Sequence, residues 1–289
     1  MSTTSSAVGD EISRLREISG RLRLDIIEML HKAGSGHPGG SLSAIDLITA
    51  LYFARMRHDP KRPDWKERDR FVLSKGHGVP ALYAVMAEAG YFPREELMTL
   101  RELGSRLQGH PVNTYLPGIE APTGSLGQGL SVAQGMALAS KMEGNSFHVY
   151  CILGDGESQE GQVWEAAMSA PMFGLDNLTV FLDYNRGQID GPVSEVMDIE
   201  PIADKWRAFR WNVLEIDGHD FGQILKAVDQ AKATKGKPTM IIANTVNGKG
   251  VSFMEHQISW HGAAPNREQT DKALEELRKL NELTKGEVR

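Results

Sequence analysis

The 289-residue chain has a single cysteine, Cys151, which excludes an intrachain disulfide and any zinc cluster built from several thiolates. It also lacks a run of about 18 uncharged apolar residues, the length a membrane-spanning helix needs. Its opening residues, MSTTSSAVGDE, have neither the basic nor the apolar region of a signal peptide, so a cytoplasmic location is expected. An excess of basic charge is missing too: 32 Lys and Arg stand against 38 Asp and Glu, a formal charge of −6. No broad cationic field therefore recommends nucleic acid or an anionic membrane as partner. There is no HExxH. Gly248-Lys249 is followed by Gly250 rather than Ser or Thr, which removes a Walker A loop, and Gln159 stands where a GxGxxG turn from Gly154 needs its third glycine. What is present is an ordinary globular composition, 40% hydrophobic and 24% charged, with 30 glycines.

Ile12, Leu15, Ile18, Leu22, Ile26 and Leu30 recur at three- and four-residue steps and predict an amphipathic helix over 10–33, preceded by a disordered leader, 1–9. Gly34, Gly36, Pro38 and Gly39 punctuate a loop, after which Ser41 is expected to cap a second helix running to about Met56. Phe71 to Leu73 is a short strand candidate ending in SKGHG, with a helix over 80–89 behind it. From Phe147 onward short apolar runs, FHVYCIL, LTVFLDY, WNVLEI and TMIIANTV, alternate with amphipathic segments such as 221–233. That alternation predicts crossover units: an α/β fold with a mostly parallel sheet flanked by helices. With no repeat or internal linker, a single domain is expected over 10–265, followed by a charged C-terminal helix and tail, 266–289.

The chemistry concentrates in a few places. Gly154-Asp155-Gly156 follows one predicted strand, and Asn185 follows the next, thirty residues after Asp155. Ligands of open α/β sheets sit outside the carboxyl ends of the strands, so these two oxygen donors can meet in one crevice. A carboxylate and an amide oxygen suit a hard cation that also carries phosphate oxygens, and the two glycines allow close backbone approach, with amides of a helix from about Ser158 facing an anion. Taken alone, GDG also reads as a tight turn. Four of nine histidines follow glycine directly, His37, His77, His110 and His219, where composition predicts about one. On glycine-flanked loops they read either as surface residues or as ligand-facing imidazoles. The stretch Thr123 to Gly129, TGSLGQG, is a flexible loop or a place where backbone approaches a flat ring. Glu160 and Glu165, Trp164, Trp206 and Trp211, and Cys151 read as surface charge, packing residues and an inert buried thiol respectively.

GSGHPGGSLSAIDL, LSKGHG, GHP at 109–111, GSLGQGL, GDGESQEGQVWEA, DYNRGQIDG and SWHGAAP, in this order, resemble the thiamine-diphosphate-binding half of transketolases over about 10–265. The resemblance implies the thiamine-diphosphate-binding fold, with Mg²⁺ (or Ca²⁺ or Mn²⁺) held by Asp155, Asn185 and the Gly187 carbonyl. It places Gly156, His77 and His261 at the diphosphate and Gly124 and Leu126 toward the aminopyrimidine. Ser125, Gly154 and Glu157 complete the expected cofactor-binding set. It turns His37, His110 and His261 toward the sugar as catalytic groups together with Glu160, and makes Glu160 and Glu165 an acidic pair between protomers. It further implies an N-terminal subunit of a split transketolase that moves a two-carbon ketol unit between sugar phosphates. The partner would be a C-terminal subunit carrying the pyrimidine-binding domain, in an α2β2 assembly. The alternatives are another thiamine-diphosphate enzyme, of the deoxyxylulose-phosphate synthase or 2-oxoacid dehydrogenase kind, and a non-catalytic cofactor-binding protein.

Overall fold

The computed structural model describes residues 2–286. The first helix, α1 (Ser2–Ala33), leads through the Gly34–Gly36 loop to α2 (Pro38–Ala50), which is continued by a wider turn, Leu51–Arg55. Next come β1 (Arg70–Leu73), α3 (Val79–Ala89), α4 (Gln128–Met142), β2 (Val149–Gly154), α5 (Gly161–Met172) and β3 (Leu178–Tyr184). A small ribbon, β4 (Gly187–Gln188) with β5 (Gly191–Pro192), precedes the single turn α6 (Val193–Val196) and α7 (Ile202–Ala208). The chain ends with β6 (Asn212–Asp217), α8 (Phe221–Ala233), β7 (Thr239–Asn244) and α9 (Arg267–Gly286).

The main sheet has the order β1-β2-β3-β7-β6, with every pairing parallel. Alternate residues of its central strands enter two separate cores. Tyr150, Ile152, Phe181, Ile241 and Ala243 pack under α1, α2, α3 and α8, whereas Cys151, Leu153, Val180, Leu182, Met240 and Ile242 pack under α4, α5 and α7. Helices on both faces explain why these strands read as continuous apolar runs, since neither set of side chains meets water. Trp206 is fully buried and Trp211 nearly so in the second core, where the Trp211 indole donates to the Ala167 carbonyl at 2.8 Å. Cys151 lies in the same layer, and burial pushes its thiol well above the usual range, so it stays an inert small hydrophobe.

Three local expectations change. Residues 2–9, expected as a disordered leader, are helical and extend α1. That stretch carries no proline, and adding turns to a helix already nucleated on a buried face costs little per residue. The second helix starts at Pro38, whose fixed φ suits a first turn. Ser41 does not cap it; its hydroxyl donates back to the His37 carbonyl at 2.7 Å. The segment after Pro265 is not an appendage, because Ala273, Leu274 and Leu277 on α9 are buried in the first core beside Leu15 and Leu22 of α1. A helix of such charged composition holds only by its narrow apolar stripe. Residues 287–289 of the expected tail lie outside the described residues.

If α9 belongs to the domain, Leu277→Ala, at a fully buried position, should cost about 2–4 kcal/mol. Leu283→Ala, at a position 68% exposed, should stay within about 0.5 kcal/mol. Urea denaturation of both variants measures this, and equal midpoints would detach α9 from the core.

Candidate active site

The carboxyl ends of β1, β2 and β3 open on one cleft of about 300 Å³, which His261 also lines. Asp155, the residue after β2, is 2% exposed. Its Oδ1 accepts the Gly156 N–H at 2.8 Å, and its Oδ2 accepts the N–H of Arg186, which sits at φ +66°. Burial first, then the nearby Asp183 carboxylate, push the Asp155 carboxyl up to about 7, against the pull of these donors and of Lys75. A buried acid so poorly compensated is suited to receive a cation. Gly156 is required here: a Cβ on it would stand 2.9 Å from the Gln188 Cβ, so a side chain would close the floor of the cleft.

Asn185 closes the opposite side. Its Nδ2 donates to Ser43 Oγ and Asp183 Oδ2, both at 3.3 Å, and its Oδ1 accepts the Gly187 N–H at 3.0 Å. An amide whose NH₂ must face a carboxylate has its oxygen fixed outward. Among the described residues no group of three or more His, Cys, Asp or Glu side chains could hold a metal. A cation would find one carboxylate, one amide oxygen and the Gly187 carbonyl, a sparse hard-oxygen set that leaves positions for phosphate oxygens and water, as Mg²⁺ favours.

Beneath both residues lies Lys75, 1% exposed, ion-paired with Asp183, which is fully buried near the end of β3. Its ammonium also donates to the Gly40 carbonyl at 3.2 Å. Asp183 in turn accepts from Ser43 at 2.6 Å and from Thr245. Above them stand four imidazoles. Ring centroids are 5.2 Å apart for His37 and His77, 5.9 Å for His37 and His261, 5.2 Å for His77 and His261, and 6.4 Å for His37 and His110. Burial, then the Lys75 charge and the neighbouring His261, His37 and His110, hold His77 well below the ordinary range. Burial, then the neighbouring His261, Arg101, His110 and Lys75, bring His37 to about 4; burial, then Lys75, bring His261 to about 4. The Nδ1 of His37 is buried without a hydrogen-bond partner. A buried imidazole nitrogen left unpaired costs free energy that a ligand can recover.

The cleft thus gathers His37, His77, His110, His261, Gly124, Leu126, Gly154, Asp155, Gly156, Glu157, Glu160, Asn185 and Gly187 from separate stretches of chain. Ser125 is exposed and lies outside the lining. Glu157 is present but spent: its carboxylate accepts from Ser74, from the Gly127 N–H at 2.9 Å and from the Gly154 N–H at 3.0 Å, which makes it a brace between loops rather than a free ligand. The helix expected from Ser158 is a tight turn over Gly156–Gln159, with α5 starting at Gly161. Exposed Glu165 is not in the lining. His219 is elsewhere, donating through Nδ1 to Asp46 at 2.7 Å and accepting the Val246 N–H at 3.0 Å. Sequence reasoning missed Gly40 and Lys75 in the lining and Asp183 below it. Lysine beside Gly-His carries no local sign that it is buried.

A parallel sheet with a glycine-lined anion and cation cradle at its carboxyl ends defines a diphosphate-binding α/β domain. The sequence matches the family described as transketolase, thiamine diphosphate binding domain, over residues 15–280; the chain belongs to the transketolase family. It is 52% identical over 253 residues to a 6-deoxy-6-sulfo-D-fructose transketolase subunit of Clostridium sp. (strain MSTE9), covering 88% of this chain and 92% of that one. It is 44% identical over 267 residues to an apulose-4-phosphate transketolase subunit of Phocaeicola vulgatus, covering 92% and 95%. The crystal structure of transketolase from Campylobacter jejuni superposes with a TM-score of 0.87 at 38% identity, covering 91% of this chain but 42% of that one. The chain therefore spans about the length of the two subunits and less than half of the longer enzyme.

The depressed histidines give a testable pH dependence. Between about 6.5 and about 4 the unfolded chain binds protons on His37 and His261 that the folded chain does not, so their contribution is fully present above 6.5 and is lost as pH falls toward 4. Asp155 acts in the opposite sense: its raised carboxyl holds a proton in the folded chain that the unfolded chain has released. The comparison is therefore a difference. Wild type minus His37→Asn, followed by urea midpoints from pH 7.5 to 5, should show wild type losing more stability in acid; parallel curves would contradict the placement.

Proposed function

We propose that the chain is the thiamine-diphosphate-binding, N-terminal subunit of a two-subunit transketolase. In that reading it transfers a two-carbon ketol unit from a ketose to an aldose. The observation that carries it is the convergence of buried Asp155, oriented Asn185 and four neutral imidazoles on one cleft, together with 52% and 44% identity to transketolase subunits of matching length. The residues fit the cofactor: the under-compensated carboxyl of Asp155, the outward amide oxygen of Asn185 and the glycine floor at Gly156 suit a divalent cation, Mg²⁺ by preference, and a diphosphate.

When bound, thiamine diphosphate supplies a carbanion that attacks and later releases a carbonyl carbon. The chain's own residues would then divide the remaining work. Asp155, Asn185 and the Gly187 carbonyl would hold the cation, and His77, His261 and the Gly156 N–H would meet the diphosphate. Gly124 and Leu126 would border the aromatic ring. His110 would hydrogen-bond the donor sugar's terminal hydroxyl or carbonyl oxygen. His37 and His261, held neutral, would take or return the hydroxyl proton as the sugar's carbon–carbon bond breaks or forms.

A partner subunit is supported by the word subunit in both relatives' names; in this reading it carries the pyrimidine-binding domain, in an α2β2 cytoplasmic enzyme. It is supported further by exposed apolar side chains on adjoining helices: Val132 and Met142 on α4, Met168 and Met172 on α5, and Phe173 just beyond. Patches of this kind mark interfaces. Glu160, just before α5 at the cleft, and Glu165, in the first half of α5, lie toward the opposite end of that helix from Met172 and Phe173. An anionic sugar is the substrate class, since the relatives' names carry a sulfonated and a phosphorylated ketose.

Calorimetric titration of thiamine diphosphate with Mg²⁺ into the assembled complex tests the reading. Asp155→Asn should weaken cofactor binding by at least about 100-fold, whereas His110→Ala should leave it unchanged and lower turnover by about 10²–10⁴. Unaltered cofactor affinity in Asp155→Asn would refute the cation assignment, and unaltered turnover in His110→Ala would refute the sugar role.

A further inference from the structure

Arg101 occupies an unusual place beside the histidine cluster. Its φ is +63°, a left-handed backbone that a non-glycine residue adopts at a cost and that is worth explaining where it occurs near a site. Its N–H donates to the Leu107 carbonyl at 2.9 Å, closing the loop 101–107. The side chain is laid against two glycines: a Cβ on Gly109 would stand 2.9 Å from Arg101 Cζ, and one on Gly36 would stand 3.9 Å from Arg101 Nε. Its Nη1 is 3.4 Å from Ser35 Oγ. Gly36 and Gly109 immediately precede His37 and His110. Two other arginines of the same stretch are spent on carboxylates, Arg94 on Asp25 at 2.6 Å and Arg106 on Glu96 at 2.8 Å. Among the described residues Arg101 has no ion pair.

We propose that Arg101 is a positioning residue for the His37–His110 pair, its guanidinium lying across the glycines that begin both loops so that the two rings keep their spacing with a fixed positive charge behind them. This rests on the reading of His37 and His110 as sugar-facing. The left-handed backbone aims the side chain inward from an exposed loop, and glycine at 109 leaves room for it. The charge also acts in a definite direction. His37 is faced by His77, His261, His110, Lys75 and Arg101, and after burial and His261 the Arg101 charge is the next cause that lowers it. For His110, Arg101 is the main cause after burial. Both rings therefore stay neutral on the acid side of pH 7 and can accept a hydroxyl proton.

The test combines NMR titration of the histidine rings in the full chain with ketol-transfer kinetics of the assembled complex, for Arg101→Gln, Arg101→Lys and Arg101→Gly. Glycine tolerates φ +63°, so Arg101→Gly removes the guanidinium without backbone strain and guards against a folding defect in Arg101→Gln. In both neutral variants His37 and His110 should titrate at higher pH while buried His148 does not move, and Arg101→Lys should restore them in part. Turnover should fall about tenfold at pH 6 and little at pH 8, because the acid limb moves toward neutrality. Cofactor affinity should not change. Unmoved ring titrations in Arg101→Gln and Arg101→Gly would overturn the proposal, as would an equal rate loss at both pH values. Absence of ketol transfer in the wild-type complex would refute the functional reading instead, and the ring titrations would still decide the role of Arg101.

Discussion

The site depends on one buried carboxylate. Asp183, next to last in β3, has no exposure to water, and a charge there is tolerable only if every oxygen lone pair finds a donor. Lys75 comes from the end of β1, Ser43 from α2, Thr245 from the end of β7 and Asn185 from two residues along its own chain. Each of those donors belongs to a segment that carries a piece of the cleft: Lys75 precedes His77, Ser43 lies in α2 just after His37 and Gly40, and Thr245 begins the stretch that leads to His261. Removing Asp183 would leave a buried ammonium unpaired and release three loops at once. The value of such a pair lies in the arrangement it enforces, because buried ion pairs contribute little net stability once their desolvation is counted.

A second brace repeats the logic on the other side of β2. Glu157 binds Ser74 from the β1 end, the Gly127 amide at the start of α4 and the Gly154 amide of its own strand. Together the two carboxylates tie the ends of β1, β2, β3 and β7 into one rim. The histidines can then sit on glycine-rich loops and still hold centroid spacings between 5.2 and 6.4 Å. Loops that carry function are usually the mobile part of a fold; here side-chain hydrogen bonds to buried acids replace the backbone ladder that loops lack.

The strands and the two-sided burial were legible because a residue's neighbours along the chain decide them: runs such as LTVFLDY have no polar face to show water. The convergence of Asp155 with Asn185 was legible for a related reason, as both close adjacent parallel strands. Glu157 was expected in the cofactor-binding set, yet its partners at Ser74 and Gly127 are 83 and 30 residues away and no local pattern announces them. Lys75, Asp183 and Arg101 escaped notice for the same cause. Each is a charged side chain whose meaning comes from burial or from contacts across the sequence. Their types alone read as surface. His219 shows the reverse error of pattern: the Gly-His pair is the same as at His37, but Asp46 claims its ring. That carboxylate is itself held below the usual range, against the push of burial, by Arg23 and His219.

The electrostatics of the cleft follow from how its charges are committed. Lys75 is committed to Asp183, so the cluster above it consists of imidazoles that burial and mutual repulsion keep neutral. Every cause that depresses those rings is either desolvation or a neighbouring positive charge. An anion placed among them reverses the second and offsets the first, because a negative group within about 4–6 Å favours the protonated ring. Anion binding and ring protonation are then linked, each strengthening the other. A divalent cation, if held at Asp155 as proposed, would work against that coupling by neutralising part of the anion's charge and by favouring the ionised Asp155 carboxylate. The rings nearest that cation would then remain donors and acceptors of single hydrogen bonds, with the diphosphate's charge balanced by the metal. The division suits proton handling: an imidazole that need not carry permanent charge to hold an anion is free to exchange a proton with a sugar hydroxyl near neutral pH.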